Sequence, residues 1–380
     1  MTYLLLIGNL LVIAVCVVIH RVHKSRDWRL RELAPAQVDY DAAAYGLVPR
    51  ERLDPRHAGP PQPPHRRKEA QAIADAAWRG DWKPAAAYVE AAGQDWDERW
   101  SRLSLLDSVA DEDDRWLKAW RAADPGNCEA ATLEAHRMVH AAWAIRGSGY
   151  APQVPDADMR AFRSMVHSAL KAAQNAAQLD PANPAPWAVM VTAARGCQYV
   201  PHHFAELWVG LHRRAPHHYE AHVQGLQYWS AKWFGSHEQM LGFARHAMDT
   251  APPGSLLPAV YLHALREMEL RGAHKELLSG KDAKTRLRRV AQALAEVRPD
   301  DERLPALRHL LAHYALKAKQ FDVALEQFRA IGPSCGSWPW TSVPDPVAAF
   351  DAARGTAVLR SRAQPLPPDL RPKAAPQQAL

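Results

Sequence analysis

Nineteen histidines give this 380-residue chain its greatest capacity for chemistry. Three pairs stand four apart, His136/His140, His218/His222 and His309/His313. On a helix that spacing puts two imidazoles on one face, which is half of a zinc site. The excess of such pairs over random placement is mild. The chain holds neither an H-E-x-x-H run nor a supporting Cys-x-x-Cys to complete a site. His218 and His222 are the metal candidates, but His222 shares a stripe with Leu226, Trp229 and Trp233. That stripe favours a packed ring with one bonded nitrogen, so neither a metal nor any other cofactor is expected.

Two further patterns fail on context. Gly332-Pro333-Ser334-Cys335-Gly336 fits the G-x-S-x-G spacing of a hydrolase nucleophile elbow. An elbow needs a strand before the serine, a helix after it and a later histidine. Here a helical pattern precedes it, a Trp/Pro stretch follows, and the last histidine is His313. A tight glycine loop is the reading that remains. Gly272 and Gly280-Lys281 are too widely separated for a phosphate loop. No catalytic residue is assigned.

The elements that position these residues read as helices. Between Pro216 and Pro252, His222, Leu226, Trp229 and Trp233 recur at helical spacing. Gly235 is placed for a left-handed C-cap, and Ser236 with Gln239 forms a capping box for a second helix. Met240, Phe243, Ala244 and Ala247 give that helix its apolar face. Gly80, Asp124-Pro125-Gly126-Asn127 and Asn183-Pro184 mark other interhelix turns, and Asp345-Pro346 starts a last helix to about Leu359. Fourteen tryptophans include Trp78/Trp82, Trp96/Trp100, Trp116/Trp120 and Trp229/Trp233, all four apart. Such pairs read first as core ridges between helices. The other reading, for His217, His218, Trp229 and Trp233, is a groove that meets a partner.

The block A-x-x-A-x-x-L-D-P-x-N-P-x-x-W around Asp180 resembles the junction between tetratricopeptide repeats. L-A-H-Y-A-L-K-A-K-Q-F-D-V-A-L-E-Q-F resembles the same family through Leu311, Ala312, Phe321, Ala324 and Phe328, and Gly80, Trp82 and Ala85 echo it. The likeness spans about residues 68 to 331 and is degenerate. Pro125, Pro181, Pro216, Pro252 and Pro299 are 56, 35, 36 and 47 residues apart, and only the middle two intervals fit the repeat. The Q-Y-W-x-x-K-W-x-G-S-H block also resembles uncharacterised actinobacterial proteins, a likeness that implies no activity.

Charge and composition narrow the partners. The net charge of +6 sits at the ends: residues 69–350 carry 31 Lys/Arg against 33 Asp/Glu. A nucleic-acid binder concentrates positive charge on its folded part, so no nucleic acid is expected. Four scattered cysteines suit a reducing compartment. Tyr3 to Ile19 is an unbroken uncharged run, long enough with its flanks to span a bilayer. Arg21, Lys24, Arg26, Arg29 and Arg31 follow it, which by the positive-inside rule keeps the remainder in the cytoplasm.

The sequence therefore predicts an all-α protein: an irregular, right-handed tetratricopeptide-like α-solenoid of six or seven helical hairpins on one N-terminal transmembrane helix. The expected divisions are a transmembrane anchor at 1–20, a basic and proline-rich linker at 21–66, a helical-repeat body at 67–360 and a disordered tail at 361–380. The expected localisation is the cell membrane, single-pass, with contact to the membrane through residues 3–19. The expected function is a membrane-tethered scaffold that holds a protein or peptide. The alternative is an enzyme with an unrecognised site in the His/Trp-rich region 202–246.

Overall fold

Side-chain caps and prolines set where the helices begin. Asp95, Asn127, Ser236 and Asp345 each accept a hydrogen bond from the backbone N–H three residues on, at 3.1, 3.0, 3.1 and 2.9 Å. Each satisfies one donor that a helix start would otherwise leave open. The computed structural model describes residues 39–147 and 153–372. Among these are sixteen α-helices and, in place of any strand, one isolated parallel bridge between Asp54 and Ser334. The all-α class expected from the sequence is what the structure has.

Eleven helices come first: α1 Pro64–Trp78, α2 Lys83–Glu90, α3 Trp96–Glu112, α4 Arg115–Ala123, α5 Cys128–Arg146 and α6 Asp156–Leu179. They continue with α7 Ala185–Gly196, α8 Pro201–His212, α9 Tyr219–Tyr228, α10 His237–Asp249 and α11 Val260–Leu270. The rest are α12 Lys275–Ser279, α13 Lys281–Glu296, α14 Leu304–Lys317, α15 Phe321–Ile331 and α16 Pro346–Arg360. Pro125, Pro181, Pro216, Pro252 and Pro299 all fall in turns between helices.

The described residues divide into two compact units, one within 62–147, 153–274 and 293–300, the other within 39–61, 275–292 and 301–372. In the first unit, each helix packs on its sequence neighbour: α5 on α6, α6 on α7, α7 on α8 and α10 on α11. A second set of contacts skips one helix, joining α3 to α5, α5 to α7, α7 to α9 and α9 to α11. These five helices thus form a continuous layer. Trp116, Trp120, Leu106, Val139, Phe204 and Tyr228 are buried in the core beside it.

A buried carboxylate ties that layer together. Glu129, in the first turn of α5, is 4% exposed. Its Oε1 forms an ion pair with Arg99 Nε of α3 at 2.6 Å and accepts a hydrogen bond from Asn183 Nδ2 at 2.7 Å. Asn183 in turn accepts from Ala185 N at the start of α7. Three helices meet at one oxygen.

In the second unit, residues 39–61, within the stretch read as a spacer, pack on the C-terminal helices. Leu47 and Leu53 share a core with Phe328, Trp340 and Phe350. The fully buried Arg354 donates to the Val48 carbonyl at 2.8 Å and to Asp351 at 2.5 Å. His309 Nε2 donates to the Ala58 carbonyl at 2.8 Å, and its Nδ1 accepts from Trp340 Nε1 at 2.9 Å. Both ring nitrogens are thereby committed to the neutral form. Burial pushes His309 down to about 4.

The glycine loop is a packing device. Asp54 N donates to the Pro333 carbonyl, Cys335 N donates to the Asp54 carbonyl, and Gly336 N donates to the His57 carbonyl. A Cβ at Gly336 would lie 2.4 Å from the Pro55 carbonyl oxygen, so only glycine allows this approach. Ser334, at 5% exposure, is buried under it.

One expectation is corrected. No helix among the described residues is long and apolar enough to cross a membrane, which goes against a single-pass membrane protein. The run 3–19, on which the transmembrane reading rested, lies outside the described residues, as do residues 373–380 of the expected tail.

Two outcomes follow from these networks. Glu129→Ala strands Arg99 in a mostly dry site, and losing one partner of a buried pair costs about 3 kcal/mol. Thermal denaturation of the variant is expected to fall by roughly 6–12 °C, with Glu129→Gln intermediate. For His309, a folded value below the ordinary 6.5 means the unfolded chain binds more protons between the two. Its contribution is therefore complete above pH 6.5 and declines as pH falls towards 4, by about 2 kcal/mol at pH 5. Urea titrations at pH 7 and pH 5 should show that His309→Gln loses less stability over this interval than the parent chain.

Candidate functional site

The layer of α3, α5, α7, α9 and α11 carries most of the unusual polar chemistry of the first unit. His136, His140 and Trp143 recur on α5 at intervals of four and three, which makes one stripe of that helix. Across from the stripe stands Asp107 of α3, on the buried row Leu103, Leu106, Asp107, Ala110. Asp107 Oδ2 lies 2.6 Å from His140 Nδ1 and 3.5 Å from His136 Nδ1. Arg137 approaches the other oxygen, Oδ1, at 3.6 Å and is also bonded to the Asp107 carbonyl and to Asp111, each at 3.0 Å. Trp100 sets its ring against His136, with centroids 5.0 Å apart and planes near perpendicular.

Charge follows from these contacts. Burial alone would raise Asp107, but the nearby His136 ring and the close contact with His140 hold it well below the usual carboxylate range. Burial pushes His136 down, while the bond to Asp107 raises His140. His140 is the accessible member, with its side chain 54% exposed against 12% for His136 and 7% for Asp107.

Further along the layer, two arginines lie against two tryptophans. The Trp143 and Trp233 rings meet edge to face at 5.7 Å. The Arg195 guanidinium of α7 is 4.6 Å from the centre of Trp143 and 5.5 Å from that of Trp233. Arg146 of α5 stands at 5.5 and 5.3 Å from the same two rings. Arg195 Nη1 donates to Gln224 of α9 at 3.3 Å, and its Nε has no acceptor among the described residues. Burial lowers Arg195 to about 10, the positive charge of Arg146 adds to that, and Glu267 opposes it. Glu267 of α11 accepts from Lys232 at 2.8 Å and from Gln227 at 2.9 Å.

The expected site residues separate. Helix α9 stops at Tyr228, with Trp229 as its C-cap. Phe234 N then donates to the Tyr228 carbonyl, so residues 230–234 form a turn and Trp233 leaves the helical stripe. Gly235 is outside the left-handed residues; its role is close approach, since a Cβ there would lie 2.0 Å from the Trp229 carbonyl oxygen. The Ser236–Gln239 cap is present. Trp229 is half-buried and packs edge-on against Phe204 and Tyr228, at 5.8 and 5.1 Å. His218 is the N-cap of α9, its Nδ1 accepting from Ala221 N at 3.4 Å. His222 donates from Nδ1 to the His218 carbonyl and meets Trp208 edge to face at 4.9 Å. Burial pushes His222 down to about 4. His217 is half-buried in the turn before α9. Likewise, His309 and His313 sit among Trp338, Trp340 and Phe350.

Among the described residues, His136/His140 is the one of the three i,i+4 pairs that has a carboxylate of another helix close enough to share an ion. Sequence reasoning missed Asp107 and the two arginines. A signal for Asp107 was present, an acid on the buried stripe of an amphipathic helix. Comparison with known proteins finds no matching family model, no matching curated protein and no matching solved structure.

The tryptophan pair gives a test of this placement. Trp229→Ala removes a half-buried ring seated on the core and is expected to cost about 2 kcal/mol, below the full core value. Trp233→Ala, beyond the end of the helix, should cost less than about 1 kcal/mol. Parallel thermal melts check the order, and equal losses would contradict it.

Proposed function

We propose that this chain is an interaction scaffold, a tetratricopeptide-like solenoid whose layer of alternate helices holds a segment of another protein. The observation that carries this reading is the Trp143/Arg146/Arg195/Trp233 cluster, drawn from α5, α7 and the turn after α9. Arginines stacked on aromatic rings keep their N–H edges available for a planar acceptor. Arg195 holds an Nε–H with no described acceptor in a setting that already depresses its charge. A carboxylate side chain of a bound segment satisfies both needs, through a charge-assisted hydrogen bond. The skipping contacts α3–α5–α7–α9–α11 support the solenoid reading, because first helices of successive hairpins line one surface in such arrays. Enzyme activity within 202–246 has less support, since His218 and His222 are occupied by capping and aromatic packing.

The reading is tested by selecting a displayed library of random peptides against the full chain. Peptides carrying Asp or Glu are expected to be enriched. Arg195→Met, which keeps the apolar stem, should weaken the selected peptides by at least about tenfold, and Trp233→Ala should do so without a comparable loss in melting temperature. No enrichment, or binding indifferent to both substitutions, overturns the proposal.

A further inference from the structure

The Asp107/His136/His140 cluster has the form of a metal site. Two imidazole nitrogens and one carboxylate oxygen, contributed by two helices, lie within 4.8 Å of one another. Both histidines present the same atom, Nδ1, to the same oxygen, Oδ2. The rings are 4.0 Å apart between centroids, so they converge on a common point. We propose that these three residues bind one divalent transition-metal ion.

The surroundings fit that role. A ligating carboxylate and imidazole need partners that fix their orientation. Arg137 faces Oδ1 at 3.6 Å and takes the Asp107 carbonyl, leaving Oδ2 for the ion. Its charge is shared with Asp111, at 3.0 Å. Trp100 braces the His136 ring and lies against His218 on its other side, at 5.3 Å. His140, half-exposed, gives the ion a route from solvent and leaves coordination positions facing water.

The donor set selects the class of ion. Calcium and magnesium take oxygen ligands, whereas two imidazoles and one carboxylate suit zinc and its first-row neighbours. In the metal-free protein the same contacts form a His–Asp hydrogen bond. On binding, the ion takes the Nδ1 position of His140, which ligates as a neutral imidazole with its proton on Nε2: from the imidazolium the Nδ1 proton leaves to solvent, and from the neutral Nδ1–H ring a proton is gained at Nε2 as the Nδ1 proton is lost. Three protein ligands with open positions are the pattern of zinc sites that retain water. This inference is independent of the scaffold reading, because it needs no partner.

The test uses the full chain freed of metal with a chelator and titrated with Zn²⁺ by calorimetry, then with Co²⁺ by visible absorption. One Zn²⁺ per chain is expected at a site that His140→Ala weakens at least tenfold, with Asp107→Asn weaker again. His202→Ala/His203→Ala, which changes adjacent histidines outside the cluster, should leave that site intact. Co²⁺ should give d–d bands of nitrogen/oxygen coordination in the parent chain and in His202→Ala/His203→Ala but not in His140→Ala. Should Asp107→Asn fail to fold, the exposed His140 still decides the matter. Absence of stoichiometric binding, or binding and spectra unchanged in His140→Ala, overturns the proposal.

Discussion

The first unit depends on housing the Glu129 carboxyl where water hardly reaches: burial pushes its pKa up, and Arg99 and Asn183 pull against that rise. An isolated carboxylate there would cost several kcal/mol, so its partners are obligatory. Arg99 supplies charge, Asn183 supplies a neutral donor, and the Asn183 carbonyl caps the next helix. The consequence is register. Apolar side chains tolerate small slides of one helix on another, whereas a bond at 2.6 Å does not. With α3, α5 and the start of α7 fixed to one oxygen, the stripes they present are fixed too.

That register explains why unusual chemistry collects along one face of α5. His136, His140, Trp143 and Arg146 follow one another on it, and between them they meet groups from three elements: Asp107 of α3, Arg195 of α7 and Trp233 beyond α9. A face packed against α3, α7 and the turn after α9 draws side chains from several helices without any one supplying a whole site.

What was legible in the sequence was local. The Ser236–Gln239 cap, the Asn183 turn and the helix opened by Pro346 each depend on residues within one turn of one another. The stop of α9 at Tyr228 was not legible, because the Trp229 and Trp233 spacing continues the helical period past it. The turn closed by Phe234 N on the Tyr228 carbonyl ends the pattern, with Gly235 approaching the Trp229 carbonyl closely. The Asp107 cluster was legible only in its parts, an acid on a buried stripe and a histidine pair: its carboxylate and imidazoles are joined by helix packing, to which sequence spacing is blind. The proline-rich stretch misled in the same way. Residues 39–61 contribute few anchors, Tyr40, Leu47 and Leu53, and each finds its partners some hundreds of residues later.

That last feature has a consequence for synthesis. Ala58 leaves the ribosome 251 residues before His309, its hydrogen-bond partner. At about 5–20 residues per second the interval is roughly 13–50 s. During that time the α1–α11 region can be completed, since its contacts run mainly between neighbouring helices. Leu47, Leu53 and the edge of the Asp54 bridge stay without their packing partners until translation has passed Phe350. The segment 39–61 of the nascent chain is thus housed only after the C-terminal helices have been made.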